Sequence, residues 1–97
     1  MGLAIYERPW NRWLYLSDLK VCRETRRMGI ARRLLEEGMA LAREEGYQGV
    51  STICQDNNRN AALFYLRSGF QIGGLDIRVY DGTKQAGKSD LFLYRAL

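Results

Sequence analysis

Histidine is absent from the 97-residue sequence, and this absence narrows the chemistry that the chain can perform. Histidine is the usual general base near neutral pH and a common zinc ligand. Proton transfer near pH 7 must therefore use a carboxylate, a tyrosine, a lysine or water. The two cysteines, Cys22 and Cys54, lie far apart in sequence, which argues against a zinc cluster. We predict that the chain binds no metal and that both thiols are reduced and half buried.

Long apolar runs and a basic N-terminal leader are also missing. No apolar stretch approaches the roughly 18 residues of a membrane span, and Tyr6 stands where a myristoylation signal requires Ser or Thr. These features predict a cytoplasmic protein without membrane attachment. The chain length predicts a single domain over residues 1–97. The net charge of +4 is compatible with nucleic acid, anionic lipid or a phosphorylated small molecule as partner.

Hydrophobic spacing predicts an α/β (α+β) chain in the order β-β-α-β-α-β-β, with a mixed sheet of four or five strands and two helices. The first helix is predicted to begin after Gly29 and to stop at Gly46. The second is capped by Asn57 or Asn58 and ends at Gly69. Strands are predicted over residues 3–8, 13–21, 50–54, 70–80 and 90–97.

The stretch RETRRMGIARRLL places five arginines around one glycine at the predicted start of the first helix. Unpaired backbone N–H groups at a helix start, together with the helix dipole, form an anion site. Gly29 would let an anion approach the backbone closely, and small Ala31 keeps the first turn open. The alternative is an ordinary turn followed by a solvated basic helix face. Composition alone leaves both interpretations open.

Two motifs resemble those of the GNAT superfamily of N-acetyltransferases. The first, R-x-x-G-x-A, is similar to the acetyl-CoA motif of that family and reads Arg26, Gly29, Ala31. The second, N-x-x-A-x-x-x-Y-x-x-x-G-F, reads Asn58, Ala61, Tyr65, Gly69, Phe70. Within the superfamily the sequence looks most like the streptothricin acetyltransferases. That closer match is carried by Trp10-Asn11, Asn57-Asn58, Phe64-Tyr65, the GF-x-I-GG-x-D run and Val79-Tyr80.

The resemblance implies acetyl-CoA as co-substrate and a primary amine of a small molecule as acceptor. It implies that the backbone of Leu19 and Val21 pairs with the pantetheine arm. The pyrophosphate would rest on the turn that follows, which comprises Arg26, Arg27, Met28, Gly29, Ile30 and Ala31. Asn58 would contact the cofactor, although asparagine is also among the best helix caps.

The catalytic residues implied by the resemblance are Tyr65 and Asp18. Tyr65 would protonate the departing thiolate, since an ordinary tyrosine is protonated at pH 7. A core aromatic is the alternative for Tyr65. Asp18 would act as the base for the acceptor amine, directly or through water. A solvated or salt-bridged aspartate is the alternative for Asp18.

The match covers the later part of a family member, so we expect a truncated GNAT fold that lacks the N-terminal elements. An unpaired sheet edge favours aggregation unless it is covered, so a homodimer or a partner fragment is expected there. Two other functions remain open. One alternative to an acetyltransferase is a non-catalytic module that binds acetyl-CoA or a partner chain. The other, which we consider the weakest, is a nucleic-acid-binding domain that uses the basic helix.

Overall fold

The computed structural model describes residues 2–21 and 29–97. In this part of the chain the elements are β1 (Gly2–Glu7), β2 (Trp13–Val21), α1 (Ile30–Glu44), β3 (Gly49–Gln55), α2 (Arg59–Arg67), β4 (Gln71–Asp76) and β5 (Asp90–Ala96). The five strands form one sheet in the order β1-β2-β3-β5-β4. The predicted element order and the mixed α+β class are therefore confirmed.

The chain divides into two compact units. The first extends to Ser51 and includes Ala96 and Leu97, and the second spans Thr52–Arg95. The single domain expected from length stays a prediction.

The first unit begins with an antiparallel β1–β2 hairpin that contains a bulge. Tyr6 pairs with Leu16, but Ile5 pairs with Asp18, which leaves Ser17 as the extra residue. The Ser17 hydroxyl donates to the Ile5 carbonyl at 3.2 Å. An extra residue reverses the alternation of faces beyond it, so Leu16 and Leu19 share a face. The bulge explains why the alternation of WLYLSDLKV is imperfect.

Helix α1 packs against β1 and β2 through one apolar stripe. Its buried residues are Leu35, Gly38, Met39 and Ala42. Full burial of a leucine or methionine side chain contributes roughly 1.5–3 kcal/mol, so this stripe is the main attachment of the helix to the hairpin. The spacing of three and four that predicted the helix also marks its buried face.

The tip of the β1–β2 hairpin is attached to the end of α1. The Arg8 guanidinium donates Nε to Glu45 Oε1 at 2.6 Å and Nη2 to Glu45 Oε2 at 2.7 Å. These hydrogen bonds hold the pKa of Glu45 below its usual value and raise that of Arg8. The backbone N–H of Gln48 donates to the Arg12 carbonyl at 2.7 Å. These hydrogen bonds hold the segment between α1 and β3 against the tip of the hairpin.

In the second unit, Asn58 is the residue that caps α2. Its side-chain oxygen accepts a hydrogen bond from the Ala61 N–H at 3.2 Å. Gly69, with φ 95°, follows the helix in the left-handed region. Tyr65, Phe70 and Leu93 are the buried hydrophobic residues of this unit. Both predicted ends of α2 are confirmed, and the alternative between Asn57 and Asn58 is resolved.

Strand β4 is shorter than predicted. The sequence favoured a strand over residues 70–80, whereas β4 ends at Asp76. There the Asp76 carboxylate accepts from the Arg78 N–H at 2.9 Å, and the Arg78 carbonyl accepts from the Asp81 N–H at 3.1 Å. These local hydrogen bonds replace strand pairing. The β-branched residues that suggested a longer strand, Ile77 and Val79, are exposed.

Candidate functional site

The first candidate feature is the N-terminus of α1. Gly29 is the N-cap and has φ 73° and ψ 16°. Its carbonyl accepts the first helical hydrogen bond, from the Arg33 N–H at 3.0 Å. Within the described residues no side chain caps this helix. No described side chain therefore competes with a ligand for the N–H groups of the first turn.

The charge in this first turn has the sign that an anion site requires. The turn contains no acidic residue, and Arg32 and Arg33 are exposed. Cations at the positive end of a helix dipole are unfavourable by roughly 0.3–1 kcal/mol each. A bound anion would relieve this repulsion. By contrast, α2 starts with an asparagine cap whose side chain already occupies a backbone donor.

The predicted cofactor residues lie only partly inside the described chain. Gly29, Ile30 and Ala31 form the start of α1. Leu19 and Val21 lie on β2, where they pair with Ala4 and Gly2 of β1. Arg26, Arg27 and Met28 lie outside the described residues, as does Cys22. The role of each of these residues toward a cofactor stays a prediction.

Asp18 lies on β2 directly after the bulge. It pairs with Ile5, and its Oδ2 lies 3.5 Å from Lys20 Nζ. The Asp18 side chain is 39% exposed and that of Lys20 is 74% exposed. An exposed pair of this kind contributes about 0–1 kcal/mol and leaves the carboxylate accessible. Both interpretations of Asp18, base and salt-bridged surface residue, are compatible with this geometry.

Asn58 and Tyr65 lie at opposite ends of α2. The hydrogen bond from Asn58 to the Ala61 N–H makes Asn58 a helix cap, and a further role toward a cofactor stays a prediction. Tyr65 is 8% exposed. Its ring lies edge-to-face against Phe64 and Phe70, with centroid distances of 5.4 and 5.3 Å. Tyr65 is therefore a packed aromatic residue, and its role as an acid stays a prediction.

A polar cluster between the ends of β3 and β5 was not predicted from the sequence. The Tyr80 hydroxyl donates to Asp90 Oδ1 at 2.7 Å, and this bond raises the pKa of Tyr80. Gln55 Nε2 and Lys88 Nζ both donate to Gln85 Oε1, at 3.1 and 3.0 Å. Gln55 and Gln85 are 30 residues apart in the chain, so no local pattern could reveal this pairing.

Cys54 is a free, half-buried cysteine, as predicted for this residue. Burial raises the pKa of its thiol, and the negative charge of Asp90 raises it further. The thiolate is the reactive form of cysteine, so Cys54 is a poor nucleophile at neutral pH. This argues against a covalent intermediate on Cys54.

Across residues 2–21 and 29–97, no group of three or more His, Cys, Asp or Glu side chains could hold a metal ion. In the same ranges no helix has the length and apolar character to cross a membrane.

Two streptothricin acetyltransferases resemble the chain in sequence. The enzyme of Streptomyces lavendulae is 32% identical over 90 residues, which cover 93% of this chain and 48% of that protein. Streptothricin acetyltransferase A of Bacillus subtilis (strain 168) is 29% identical over 85 residues, covering 88% of this chain and 49% of that protein. The chain thus spans about half the length of these curated relatives.

Solved structures show the same fold. A Bacillus anthracis str. Ames protein assigned as a streptothricin acetyltransferase, in complex with acetyl coenzyme A, has a TM-score of 0.93 at 30% identity. That match covers 99% of this chain and 55% of the other. Nourseothricin acetyltransferase has a TM-score of 0.89 at 32% identity, covering 98% and 56%. The model of the acetyltransferase (GNAT) family matches residues 1–70, and the chain therefore belongs to the GNAT family.

Proposed function

We propose that this chain is an N-acetyltransferase that moves acetyl from acetyl-CoA to a primary amine of a small molecule, such as a streptothricin-like antibiotic. The observation that carries the proposal is the N-terminus of α1, which begins at a left-handed glycine, lacks a described side-chain cap and carries Arg32 and Arg33. In a GNAT chain this arrangement suits the diphosphate of coenzyme A. The relatives named as streptothricin acetyltransferases support the class of acceptor.

In this proposal the turn from Arg26 to Ala31 holds the diphosphate. The backbone N–H groups of the turn donate to the phosphate oxygens, and Gly29 leaves room for their approach. The helix dipole adds on the order of 0.3–2 kcal/mol. The backbone of Leu19 and Val21 binds the pantetheine arm, and Asn58 contacts the cofactor in addition to capping α2.

Acetyl transfer then requires two proton movements. The neutral amine nitrogen attacks the thioester carbonyl carbon, and the resulting tetrahedral intermediate expels the coenzyme A thiolate. Asp18, directly or through water, takes the proton that the amine loses. Tyr65 gives its phenolic proton to the leaving sulfur and regains one from solvent. The products are an amide and coenzyme A as its free thiol.

A second function is a non-catalytic module that binds acetyl-CoA or serves as an oligomerisation unit. It is favoured by the N-terminus of α1, which suits acetyl-CoA binding whether or not acetyl transfer follows. Such a module would use the cofactor-binding turn without transferring the acetyl group. Acetyl-CoA binding is common to both functions, whereas turnover separates them.

Thermal unfolding and thiol release test these functions together. Acetyl-CoA at 100 times its Kd should add about 2.7 kcal/mol of stability, which raises the Tm of a chain of this size by roughly 10–20 °C. Oligonucleotides should leave the Tm unchanged. Free coenzyme A thiol should then appear when streptothricin or a small amine is added. A Tm shift without thiol release would support the non-catalytic module, and a shift with oligonucleotides alone would contradict both.

Two glycine substitutions test the proposed phosphate turn. Gly29 and Gly82 have φ of 73° and 77°, and neither has a described atom within 4 Å of an added Cβ. Alanine at either position should therefore cost about 1–2 kcal/mol of folding stability through backbone strain alone. Gly29→Ala should also weaken acetyl-CoA binding roughly tenfold, equivalent to about 1.4 kcal/mol. Isothermal titration calorimetry should show no such loss for Gly82→Ala, and equal affinities for the two variants would contradict the turn.

We also propose that the chain forms a homodimer that covers a sheet edge. β1 and β4 are the outer strands of the described sheet, and each has exposed large hydrophobic residues. On β1 these are Leu3 and Ile5, and on β4 they are Ile72 and Leu75. Exposed apolar edges promote pairing between chains. Sedimentation velocity should show a dimer at micromolar concentration, and a clean monomer would contradict the proposal.

A further inference from the structure

The end of α2 has the geometry of a Schellman motif. Ser68 is the C-cap, and Gly69 takes up the left-handed conformation that reverses the chain. The Phe70 N–H donates to the Tyr65 carbonyl at 3.0 Å, and the Gly69 N–H donates to the Leu66 carbonyl at 3.2 Å. These are the two hydrogen bonds that define the motif. The Y-x-x-x-G-F spacing of the sequence is therefore the spacing of a helix terminator.

This terminator brings two aromatic rings together. The Phe70 and Tyr65 rings have centroids 5.3 Å apart and an interplanar angle of 66°. Phe70 is 3% exposed and Tyr65 is 8% exposed. On the other side the Tyr65 ring meets Phe64 at 5.4 Å and 62°. Edge-to-face pairs of this kind contribute attraction beyond their burial, so they restrict the orientation of the tyrosine ring.

The end of α1 has the same backbone motif with different side chains. The Tyr47 N–H donates to the Ala42 carbonyl at 2.8 Å, and the Gly46 N–H donates to the Arg43 carbonyl at 3.3 Å. At the position that corresponds to Tyr65, α1 has an alanine. Of the two helices, only α2 therefore places a tyrosine ring against the aromatic residue that follows its terminal glycine.

We propose that Phe70 is a positioning residue for acetyl transfer, which holds the Tyr65 hydroxyl in the orientation that protonates the leaving thiolate. This inference rests on the proposed function, in which Tyr65 is the general acid. The hydroxyl oxygen lies at the far end of the tyrosine side chain, so a rotation about the Cα–Cβ bond displaces it more than any atom of the ring. A displacement of about 1 Å at a reacting group can reduce the rate by about 100-fold. The Phe70 ring opposes that rotation by contact with the Tyr65 ring, in addition to the hydrogen bond from the Phe70 N–H to the Tyr65 carbonyl.

A double-mutant cycle on kcat tests this role. Phe70→Leu keeps an apolar side chain and the backbone hydrogen bond but removes the ring. It should lower kcat about tenfold, because the Tyr65 hydroxyl is then correctly oriented in only a fraction of the molecules. The KM for acetyl-CoA should change less than about twofold. In the Tyr65→Phe background, which has no hydroxyl to orient, Phe70→Leu should change kcat less than about twofold. An equal loss of kcat in both backgrounds would overturn the proposal.

Tyr47→Leu is the matched control. It removes the ring at the same position of the α1 terminator, so it reports the effect of losing packing after a helix. The Tm of Tyr47→Leu should fall while the kcat of the folded protein stays that of the unsubstituted chain. A tenfold loss of kcat in Tyr47→Leu would show that any weakened helix end slows the reaction, and the specific role of Phe70 would be overturned.

NMR separates failure of this inference from failure of the proposed function. Three-bond couplings between the Hα and Hβ protons of Tyr65 report whether its χ1 angle occupies one staggered well. They should indicate a single rotamer in the unsubstituted chain and an average of rotamers in Phe70→Leu. Unchanged couplings in Phe70→Leu would overturn the positioning role, whatever the activity. If the couplings behave as expected but no thiol is released, the proposed role of the Tyr65 hydroxyl as an acid is overturned. The orientation of the Tyr65 ring by Phe70 is then still supported.

Discussion

Tyr65→Phe is expected to lower kcat for acetyl transfer by about 10²–10⁴-fold, the usual contribution of a general acid. The substitution keeps the ring, and with it the edge-to-face contacts to Phe64 and Phe70. It removes the phenolic proton that the proposed mechanism delivers to the leaving sulfur. A thiolate that leaves without a proton is a higher-energy product, so breakdown of the tetrahedral intermediate becomes slower.

The measurement is steady-state thiol release at saturating acetyl-CoA, with Kd for acetyl-CoA determined separately by calorimetry. Binding should remain within about threefold of the unsubstituted chain, because the diphosphate turn is untouched. Tyr47→Phe is the control, since it also removes one hydroxyl and keeps the ring that lies against the Arg12 guanidinium. Unchanged turnover in Tyr65→Phe would remove Tyr65 as the acid.

Gly38→Ala is expected to lower the free energy of unfolding by about 1–3 kcal/mol, the range for overpacking a core. Intrinsic helix propensity alone predicts the opposite sign, a gain of roughly 0.5–1 kcal/mol. The structure reverses that expectation because the Tyr6 ring lies directly over Gly38, where an added Cβ would collide with the phenol. The Tyr6 hydroxyl also donates to the Leu34 carbonyl at 3.1 Å, so the ring cannot move away without loss of this hydrogen bond.

Urea unfolding of four chains, namely the unsubstituted chain, the two single variants and the double variant, shows whether Gly38→Ala lowers or raises the free energy of unfolding. Tyr6→Leu is destabilising by itself, because the hydrogen bond to Leu34 is lost. In that background, however, Gly38→Ala should be neutral or stabilising, since the phenol is gone and propensity alone remains. A Gly38→Ala chain more stable than the unsubstituted one would show that α1 does not approach β1 as closely as described.

Most of the fold follows from patterns within a few residues of the chain. Three features were predicted: the apolar stripe of α1, a cap of α2 at Asn57 or Asn58, and the glycines that end both helices. Each depends on a local rule, namely helical periodicity, a side chain that reaches its own helix start, or a φ that glycine adopts without strain. The end of β4 was predicted wrongly because a local turn at Asp76 competed with strand propensity.

The candidate site was predicted unevenly. The turn around Gly29 was indicated by its arginines and glycine, and the Tyr65 motif by its resemblance to a GNAT motif, because each lies within one short segment. The same motif contains Phe70, but the sequence did not predict that its ring packs against Tyr65. That contact follows from the Schellman hydrogen bonds at the end of α2. The bond between Tyr80 and Asp90 joins the two ends of a loop, and no periodicity connects them.

The resemblance of two sequence motifs indicated the family. By itself the sequence determined the element order and the positions at which the helices start and stop. These depend on neighbours a few residues away, whose chemistry is visible in the order of the amino acids. Tertiary structure alone decided that Ser17 bulges out of β2, that Tyr6 covers Gly38, and that Asp90 raises the pKa values of Tyr80 and Cys54. Each of these needs two segments distant in the chain to meet at van der Waals or hydrogen-bond distance, and only the packed fold brings them together.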